Sequence, residues 1–200
     1  MMDNAESTLN HRIARRVRDL RATKCWSLET LADKSGVSRS MISLVERGES
    51  SPTAVVLEKL AAALDVTLAS LFDAPAATKR EPVCPLARRK AQTEWRDPES
   101  GYLRRNVSPP SVPQPMHIVE VYFPPGARVA FDTSRPKHRV HQQVWMLEGV
   151  MEVTVGKERN RMEAGDCLAM NLDQPIMYYN PTRKVSRYAV VIADEQRSKQ

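Results

Sequence analysis

The segment WSLETLADKSGVSRSMISLVERG, residues 26–48, predicts two short helices joined by a tight turn. In its first half, apolar residues recur at the spacing of one helical face: Leu28, Leu31 and Ala32. Gly36 follows that face, and glycine readily takes the positive φ that a sharp bend requires. The segment is therefore expected to fold as a helical hairpin that bends near Gly36.

The second half of the segment predicts an amphipathic helix that begins after Ser38, whose hydroxyl can cap it, and ends at Gly48. Its inward positions are apolar: Val37, Ile42 and Val45. Its outward side chains are short or basic: Arg39, Ser40 and Ser43. Such a helix can approach base edges in a major groove, where arginine pairs with guanine. We predict DNA contacts from Ser38 and these three outward residues, with a solvated helical hairpin as the alternative.

The flanking sequence favours a DNA-binding domain over an isolated hairpin. Residues 8–24 predict an amphipathic helix whose polar face is strongly basic, and we expect phosphate contacts from three of its residues: Arg12, Arg15 and Arg16. Downstream, Ser51 and Pro52 predict a cap followed by proline at the first position of another helix. Residues 57–72 then continue an apolar stripe of helical period.

Residues 8–72 resemble the Cro-type, or XRE, helix-turn-helix family of phage and bacterial repressors, which has five helices in this order. The resemblance implies that residues 27–35 cross the DNA backbone, with Ser27 among the contacts, and that residues 38–47 form the recognition helix. It also implies that Arg21 and Glu46 form a structural ion pair and do not read bases.

The chain has 200 residues, enough for two compact domains, and a formal net charge of +6, which favours polyanion partners. Residues 1–72 carry 10 basic and 9 acidic side chains, so the positive charge there is concentrated on the first predicted helix. The three cysteines are widely separated, which is typical of reduced thiols. Because no apolar run is long enough to span a bilayer, we expect a cytoplasmic protein with no membrane partner.

The composition changes after residue 72. Residues 73–85 are rich in proline, alanine and charge, which predicts a linker, and residues 196–200 form a polar tail. Between them, residues 86–195 predict short strands separated by turns, which favours a β-sandwich or barrel. The predicted strands cover residues 118–123, 143–146, 151–155, 167–170, 177–179 and 185–192.

Within residues 86–195, WMLEGVMEVTVG followed by MEAGDCLAMNLDQPIMYYNP resembles the cupin family, a double-stranded β-helix, or jelly-roll barrel. Four residues fall at the turn positions of that family: Gly126, Gly149, Gly165 and Asn180. The predicted fold class is therefore α + β in two domains. Residues 1–72 form a five-helix Cro/repressor-like bundle, and residues 86–195 form a cupin barrel.

The resemblance implies where a cupin metal would bind, and the sequence departs from the family there. Cupin enzymes hold a divalent metal at four positions that fall, in this chain, near Pro136 and His138, at Gln142 and at Ile176. Only one of the four ligands is retained, and isoleucine has no donor atom. His141 should point away from Gln142, because neighbouring residues of a strand face opposite sides. We therefore expect no metal and no cofactor.

Strand alternation predicts a barrel interior that is mostly apolar with a few hydrogen-bonding groups: His138, Gln142, Val144, Met146, Ile176 and Tyr178. This composition is typical of a small-molecule site and suggests an effector. The same residues could equally fill a barrel core that binds no ligand.

A helix-turn-helix followed by a degenerate cupin resembles a class of bacterial transcription regulators. The resemblance implies that the first domain binds an operator and that the barrel dimerises and senses a small metabolite. We predict a homodimer that binds a roughly palindromic operator in double-stranded DNA and favour a repressor over an activator, a choice that the sequence does not encode. One alternative is a cupin enzyme tethered to DNA. Another is a DNA-binding module whose barrel dimerises without an effector.

Overall fold

The computed structural model describes residues 3–72, 84–110, 112, 116–133 and 140–194. The chain divides into two compact units, Met1–Val83 and Cys84–Gln200, of which the first is helical and the second is built of strands. Residues 73–83 of the predicted linker and residues 196–200 of the predicted tail lie outside the described residues. Among the helices that are described, none is both long and apolar enough to cross a membrane.

The described part of the first unit contains five helices: α1 Asp3–Thr23, α2 Leu28–Ser35, α3 Arg39–Arg47, α4 Ala54–Leu64 and α5 Leu68–Leu71. The five-helix prediction is therefore confirmed, although α1 begins at Asp3 and not near residue 8. The core consists of the predicted apolar faces, and its most buried side chains include Val17, Leu31, Ile42 and Leu57. Burial of these faces holds the short helices together, since isolated helices of this length are marginal in water.

The turn between α2 and α3 has the predicted geometry. Gly36 ends α2 with φ +66°, and Gly48 ends α3 with φ +72°, both in the left-handed region that favours glycine. The Ser38 hydroxyl accepts a hydrogen bond from the backbone N–H of Met41 at 3.2 Å and so caps α3. Three local signals in the sequence therefore define where α3 begins and ends: Gly36, the Ser38 cap and Gly48.

The predicted cap of the fourth helix is wrong by two residues. Thr53 is the N-cap of α4, and its hydroxyl accepts from the backbone N–H of Val56 at 3.4 Å. Pro52 precedes this cap, whereas the Ser51 hydroxyl accepts from the Asn10 side-chain amide at 2.7 Å. Serine and threonine are both good caps, so a tertiary contact with α1 decided between the two frames.

The second unit consists of two antiparallel sheets. The strands of the six-stranded sheet, in spatial order, are β1 Glu94–Arg96, β2 Leu103–Asn106, β3 Met116–Phe123, β10 Ser186–Asp194, β5 Val140–Glu148 and β8 Cys167–Asn171. Those of the four-stranded sheet are β4 Arg128–Phe131, β9 Ile176–Tyr179, β6 Val150–Val155 and β7 Glu158–Glu163. From β3 to β10 the chain crosses repeatedly between the sheets, as in a cupin-like jelly roll, so the predicted fold class is confirmed.

The sequence predicted six of these strands and missed β1, β2, β4 and β7. Three of the four lie at the edge of a sheet, where natural proteins place charged residues that discourage pairing with other chains. β7, for example, reads ERNRME. Strands of this kind lack the apolar alternation from which the other strands were predicted.

Aromatic rings run through the centre of the second unit. Successive ring centroids lie 5.6–6.3 Å apart along a chain of contacts through Trp95, Tyr102, Phe123, Tyr188, Tyr178 and Phe131. Tyr188 belongs to the six-stranded sheet and Tyr178 to the four-stranded sheet, and their rings stack with an interplanar angle of 2°. These contacts join the inner faces of the two sheets.

Gly149, between β5 and β6, is a sensitive position in the second unit. Its φ is +80°, and a Cβ atom there would lie 2.8 Å from the Ser186 Oγ and 3.1 Å from the Ser186 Cα. Gly126 has a similar φ of +69°, but a Cβ atom there would have no heavy atom within 4 Å. Comparing the same substitution at the two glycines therefore separates the cost of backbone strain from the cost of close packing.

We expect Gly126→Ala to cost about 1 kcal/mol of unfolding free energy, because alanine is strained at positive φ. Gly149→Ala should cost about 1–3 kcal/mol more, because its methyl group also displaces Ser186. Urea unfolding followed by near-UV circular dichroism, to which the aromatic rings contribute, measures both values. Equal losses in the two variants would contradict the close-packing explanation.

Candidate nucleic-acid interface and barrel interior

The outward surface of α3 carries the predicted DNA-reading residues. Ser38, Arg39 and Ser40 are exposed, as predicted. Ser43 is half-buried, and its hydroxyl accepts a hydrogen bond from the Arg47 guanidinium, which also pairs with Glu49 at 2.8 Å. Arg39 and Ser40 at the beginning of α3 are thus more accessible than Ser43 one turn later.

Two serine hydroxyls mark the beginnings of α2 and α3. The Ser27 hydroxyl accepts from the backbone N–H of Thr30 at 3.0 Å, and the Ser38 hydroxyl lies 3.1 Å from the Ser40 hydroxyl. Both serines are exposed. The beginning of a helix presents backbone N–H groups and the positive end of its dipole, which suits contact with phosphate.

The ion pair between Arg21 and Glu46 sets the position of α3. The Arg21 Nε and Nη2 atoms each lie 2.7 Å from a Glu46 carboxylate oxygen, and Arg21 Nη1 donates to the Trp26 carbonyl at 2.8 Å. The hydrogen bonds with Glu46 raise the pKa of Arg21. The Glu46 side chain is 7% exposed and that of Arg21 is 18% exposed, so the carboxylate is nearly excluded from water while the guanidinium keeps some contact with it. The implied structural role is confirmed, because one guanidinium links three segments. Arg21 belongs to α1, the Trp26 carbonyl lies just before α2, and Glu46 belongs to α3.

The three arginines of α1 that were predicted to contact phosphate have different surroundings. Arg12 is half-buried and donates to the Phe72 carbonyl at 3.1 Å, a contact that ties α1 to the end of α5. Arg15 is exposed and lies 3.7 Å from Asp19. Arg16 is half-buried, with its Nε atom buried. Arg15 is therefore the most accessible of the three, and the structural contact of Arg12 was not predicted.

The sequence prediction also missed a basic and aromatic cluster next to Ser27. The Nζ atoms of Lys24 and Lys34 lie 5.2 Å and 5.0 Å from the centroid of the Trp26 ring. Cations at this distance are attracted to the negative face of an aromatic ring. The cluster therefore holds two ammonium groups near the Trp26 ring, and the sequence carried little signal of it, because Lys34 is eight residues after Trp26.

The alternation predicted for β5 is confirmed. Gln142, Val144 and Met146 are buried, whereas His141 is exposed on the opposite side. The Gln142 side-chain amide donates to the Tyr178 hydroxyl at 2.6 Å. Since β5 and β9 belong to different sheets, this hydrogen bond crosses the barrel interior.

The interior also holds residues that the sequence prediction did not identify. Burial raises the pKa of Tyr188 well above its usual value, as do Tyr178 and Tyr102, whereas Arg104 lowers it. Tyr188 therefore remains a neutral phenol at physiological pH. Arg104 lies opposite Val121 on a neighbouring strand, which places it on the inner face of the sheet. It was missed because β2 was not predicted as a strand.

The four positions of a cupin metal site are only partly described. Pro136 and His138 lie outside the described residues. Gln142 hydrogen-bonds to Tyr178, and the buried side chain of Ile176 offers no donor atom. In the ranges that the structure describes, no three histidine, cysteine, aspartate or glutamate side chains are grouped so that they could hold a metal.

Arg21→Met should destabilise the helical unit by about 3 kcal/mol, because it leaves the Glu46 carboxylate buried without its guanidinium. The double variant Arg21→Met/Glu46→Met should recover part of that loss. Arg47→Met is the matched control, and it should leave the midpoint almost unchanged because Arg47 and Glu49 are both solvated. Thermal unfolding followed by far-UV circular dichroism compares them, and equal midpoints for Arg21→Met and Arg47→Met would contradict the structural role.

Comparison with known proteins places the helical unit in a family. The family model HTH_3, a helix-turn-helix, matches residues 17–71. The HTH-type transcriptional regulator SutR of Escherichia coli is 41% identical over 59 residues, which are 30% of this chain and 33% of that protein. The HTH-type transcriptional regulator SinR of Bacillus subtilis is 40% identical over 62 residues, which are 30% of this chain and 56% of that protein. The chain thus spans between a third and just over half of the length of these relatives.

One solved structure resembles the chain over nearly its whole length. The crystal structure of an HTH_3 family transcriptional regulator from Vibrio cholerae has a TM-score of 0.73 and covers 94% of this chain and 98% of that chain. At 22% sequence identity this similarity establishes the fold alone. Together with the family match, the capped α2–α3 turn and the Arg21–Glu46 pair, it supports one assignment. Residues 17–71 are a helix-turn-helix domain of the HTH_3 family, of the XRE type.

Proposed function

We propose that this protein is a sequence-specific DNA-binding transcriptional regulator that acts as a repressor in the cytoplasm. The observation that carries the proposal is the exposed polar surface of α3, where the side chains of Arg39 and Ser40 are accessible to solvent. The Arg21–Glu46 pair holds that surface outward, as a recognition helix requires. The names of the relatives, which are transcriptional regulators, agree with this function.

A single recognition helix contacts only a few base pairs, so useful specificity requires two copies. Paired half-sites on one face of DNA lie about 34 Å apart, and a two-fold symmetric protein matches a palindromic site. We therefore propose a homodimer that binds a roughly palindromic operator in double-stranded DNA. The strand unit supplies the contact between the two copies, and the helical units supply the two reading heads.

The barrel interior is proposed as the site of a small-molecule effector. The described lining is mostly apolar, with the Gln142 amide and the Tyr178 hydroxyl as polar groups: Gln142, Val144, Met146, Ile176 and Tyr178. Such a lining is typical of metabolite sites. An effector acts as a switch only if it binds the DNA-competent and incompetent arrangements with different affinity. We propose no metal-dependent catalysis there, because Ile176 has no donor atom at a position where the cupin resemblance implies a ligand.

Arg39→Ala should weaken binding to a cognate operator by about 1–3 kcal/mol and relax discrimination at one base pair. Arg39→Lys keeps the charge but loses the planar fork that pairs with guanine, so it should lose discrimination with a smaller loss of overall affinity. Fluorescence anisotropy with cognate and single-base-substituted duplexes measures both effects. Unchanged discrimination in Arg39→Ala would exclude Arg39 as a base reader.

Arg15→Ala is the matched comparison on α1. Because Arg15 is exposed and predicted to contact phosphate, its loss should weaken binding to cognate and scrambled DNA equally. The slope of log affinity against log salt concentration should become shallower by about one unit. A change in base preference on Arg15→Ala would contradict the proposed division between reading and positioning contacts.

A thermal-shift screen of the full chain with a metabolite library tests the effector site. A ligand at a hundredfold excess over its Kd stabilises its domain by about 2.7 kcal/mol and raises the melting temperature. Tyr178→Phe retains the ring that stacks on Tyr188 but removes the hydroxyl, so it should reduce the shift caused by a ligand that uses this group. Turnover of any library compound would favour the enzyme alternative, and no shift would favour the module without an effector.

A further inference from the structure

The outer face of the six-stranded sheet carries a group of apolar side chains, of which three are exposed and three are half-buried. We define this apolar sheet face by residues of three adjacent strands: Met116 and Ile118 of β3, Ala189, Val191 and Ala193 of β10, and Trp145 of β5. Trp145 is 50% exposed, Met116 46% and Ile118 38%. Trp145 on β5 is separated from Met116 and Ile118 on β3 by the small or half-buried apolar residues of β10.

The strand register shows that these residues form one continuous surface. Trp145 lies opposite Ala189, and Val191 lies opposite Ile118 on one side and Gln143 on the other. Ala193 lies between Met116 and His141 in the next row. Directly opposed residues share a face of the sheet. Three consecutive rows across β3, β10 and β5 therefore each present two apolar residues outward, and the third position of each row is polar: Glu120, Gln143 and His141.

This pattern differs from that of an antiparallel sheet whose outer face meets water. Such a face normally carries polar residues that alternate with the buried ones. Single exposed apolar residues are common, but a contiguous group that includes a tryptophan indicates a binding surface. We infer that another apolar surface covers this face in the functional protein.

The charges around the face indicate what kind of surface that is. Glu120 pairs with Arg105 and with Arg187, whose Nε lies 3.2 Å from the carboxylate, and Arg187 also lies 2.8 Å from Glu148. Glu120, which lies in the same row as Trp145, and the described charged groups around it are thus matched within the chain, and the six defining residues carry no charge. A strongly acidic or basic partner would therefore gain little electrostatic binding energy at this face. A second copy of the same face can approach without opposing like charges, as a two-fold interface requires.

The size of the face fits the centre of such an interface. Three rows across the three strands β3, β10 and β5 cover about 15 Å by 20 Å, or about 300 Å². A standard interface buries about 800 Å² per partner, with a large aromatic residue at its centre and a polar rim around it. The apolar sheet face would supply the centre, with Trp145 as the anchor, and the paired charges beside it would supply part of the rim.

We propose that two copies of this chain associate through the apolar sheet face about a two-fold axis, with Trp145 of each copy packed on the partner. The role of this contact rests on the proposed function, because it is the dimer that a palindromic operator needs. Its existence can nevertheless be tested without DNA.

The test compares the full chain with Trp145→Lys by sedimentation velocity over a dilution series. Loss of a central aromatic anchor and burial of an unpaired ammonium should weaken the dimer by about 30-fold or more. Ile118→Lys is a second variant on the same face and should act in the same direction. Val185→Lys is the matched control, because Val185 is 53% exposed but lies outside the strands. Circular dichroism spectra and melting temperatures establish that each variant is folded.

Three outcomes would overturn the interface. A wild-type chain that stays monomeric throughout the dilution series would exclude it, including the case in which another part of the chain covers Trp145. Dimers of Trp145→Lys and Ile118→Lys as stable as wild type would place the contact elsewhere. Equal weakening by Val185→Lys would show that the effect is not specific to the face.

Binding to a full palindrome and to a single half-site separates this inference from the proposed function. If both proposals hold, Trp145→Lys should retain half-site binding and lose the additional affinity for the palindrome. A face-dependent dimer that binds neither DNA would leave the interface standing and refute the regulator. Normal DNA binding by a chain that does not dimerise through this face would refute the interface and leave the proposed regulator standing.

Discussion

The bidentate ion pair between Arg21 and Glu46 is the contact on which the exposed surface of α3 depends. Its nitrogen and oxygen atoms lie 2.7 Å apart, and the Glu46 side chain is nearly excluded from water. A buried pair of this kind adds little net stability compared with apolar residues, but the loss of one partner leaves an uncompensated charge. The pair therefore acts mainly by fixing one arrangement of α1, α2 and α3, and that arrangement turns Arg39 and Ser40 outward.

In the strand unit, a single hydrogen bond has a role similar to that of the Arg21–Glu46 pair. The Gln142 amide, at a position where the cupin resemblance implies a carboxylate ligand, donates to the Tyr178 hydroxyl. This hydrogen bond satisfies two buried polar groups and joins the two sheets. A position that in metal-binding cupins serves chemistry thus contributes here to cohesion of the barrel, while the stacked Tyr178 and Tyr188 rings bring polar groups close to the interior.

The helical unit and its proposed DNA-contacting surface were largely predictable from the sequence. Caps, turn glycines and the 3.6-residue period are local signals, so residues 26–48 specified α2, the turn and α3 correctly. The prediction failed where the choice depended on residues distant in the chain. The Ser51 hydroxyl bonds to Asn10 and leaves the cap of α4 to Thr53, and Arg12 bonds to the carbonyl of Phe72. In the barrel, the edge strands β1, β4 and β7 were missed, because β1 and β7 are charged and β4 has only four residues.

The sequence by itself determined the two fold classes, the polar face of α3 and the inward side of β5, because each follows from periodicity or from a residue with a restricted conformation. Only the tertiary structure decided which side chains share a surface. Trp145, Val191 and Ile118 are far apart in the chain and form one face because β10 lies between β3 and β5. Arg104 reaches the inner face for the same reason, through its pairing opposite Val121. Such neighbours arise from strand order, which depends on packing between distant segments and leaves no local signal in the sequence.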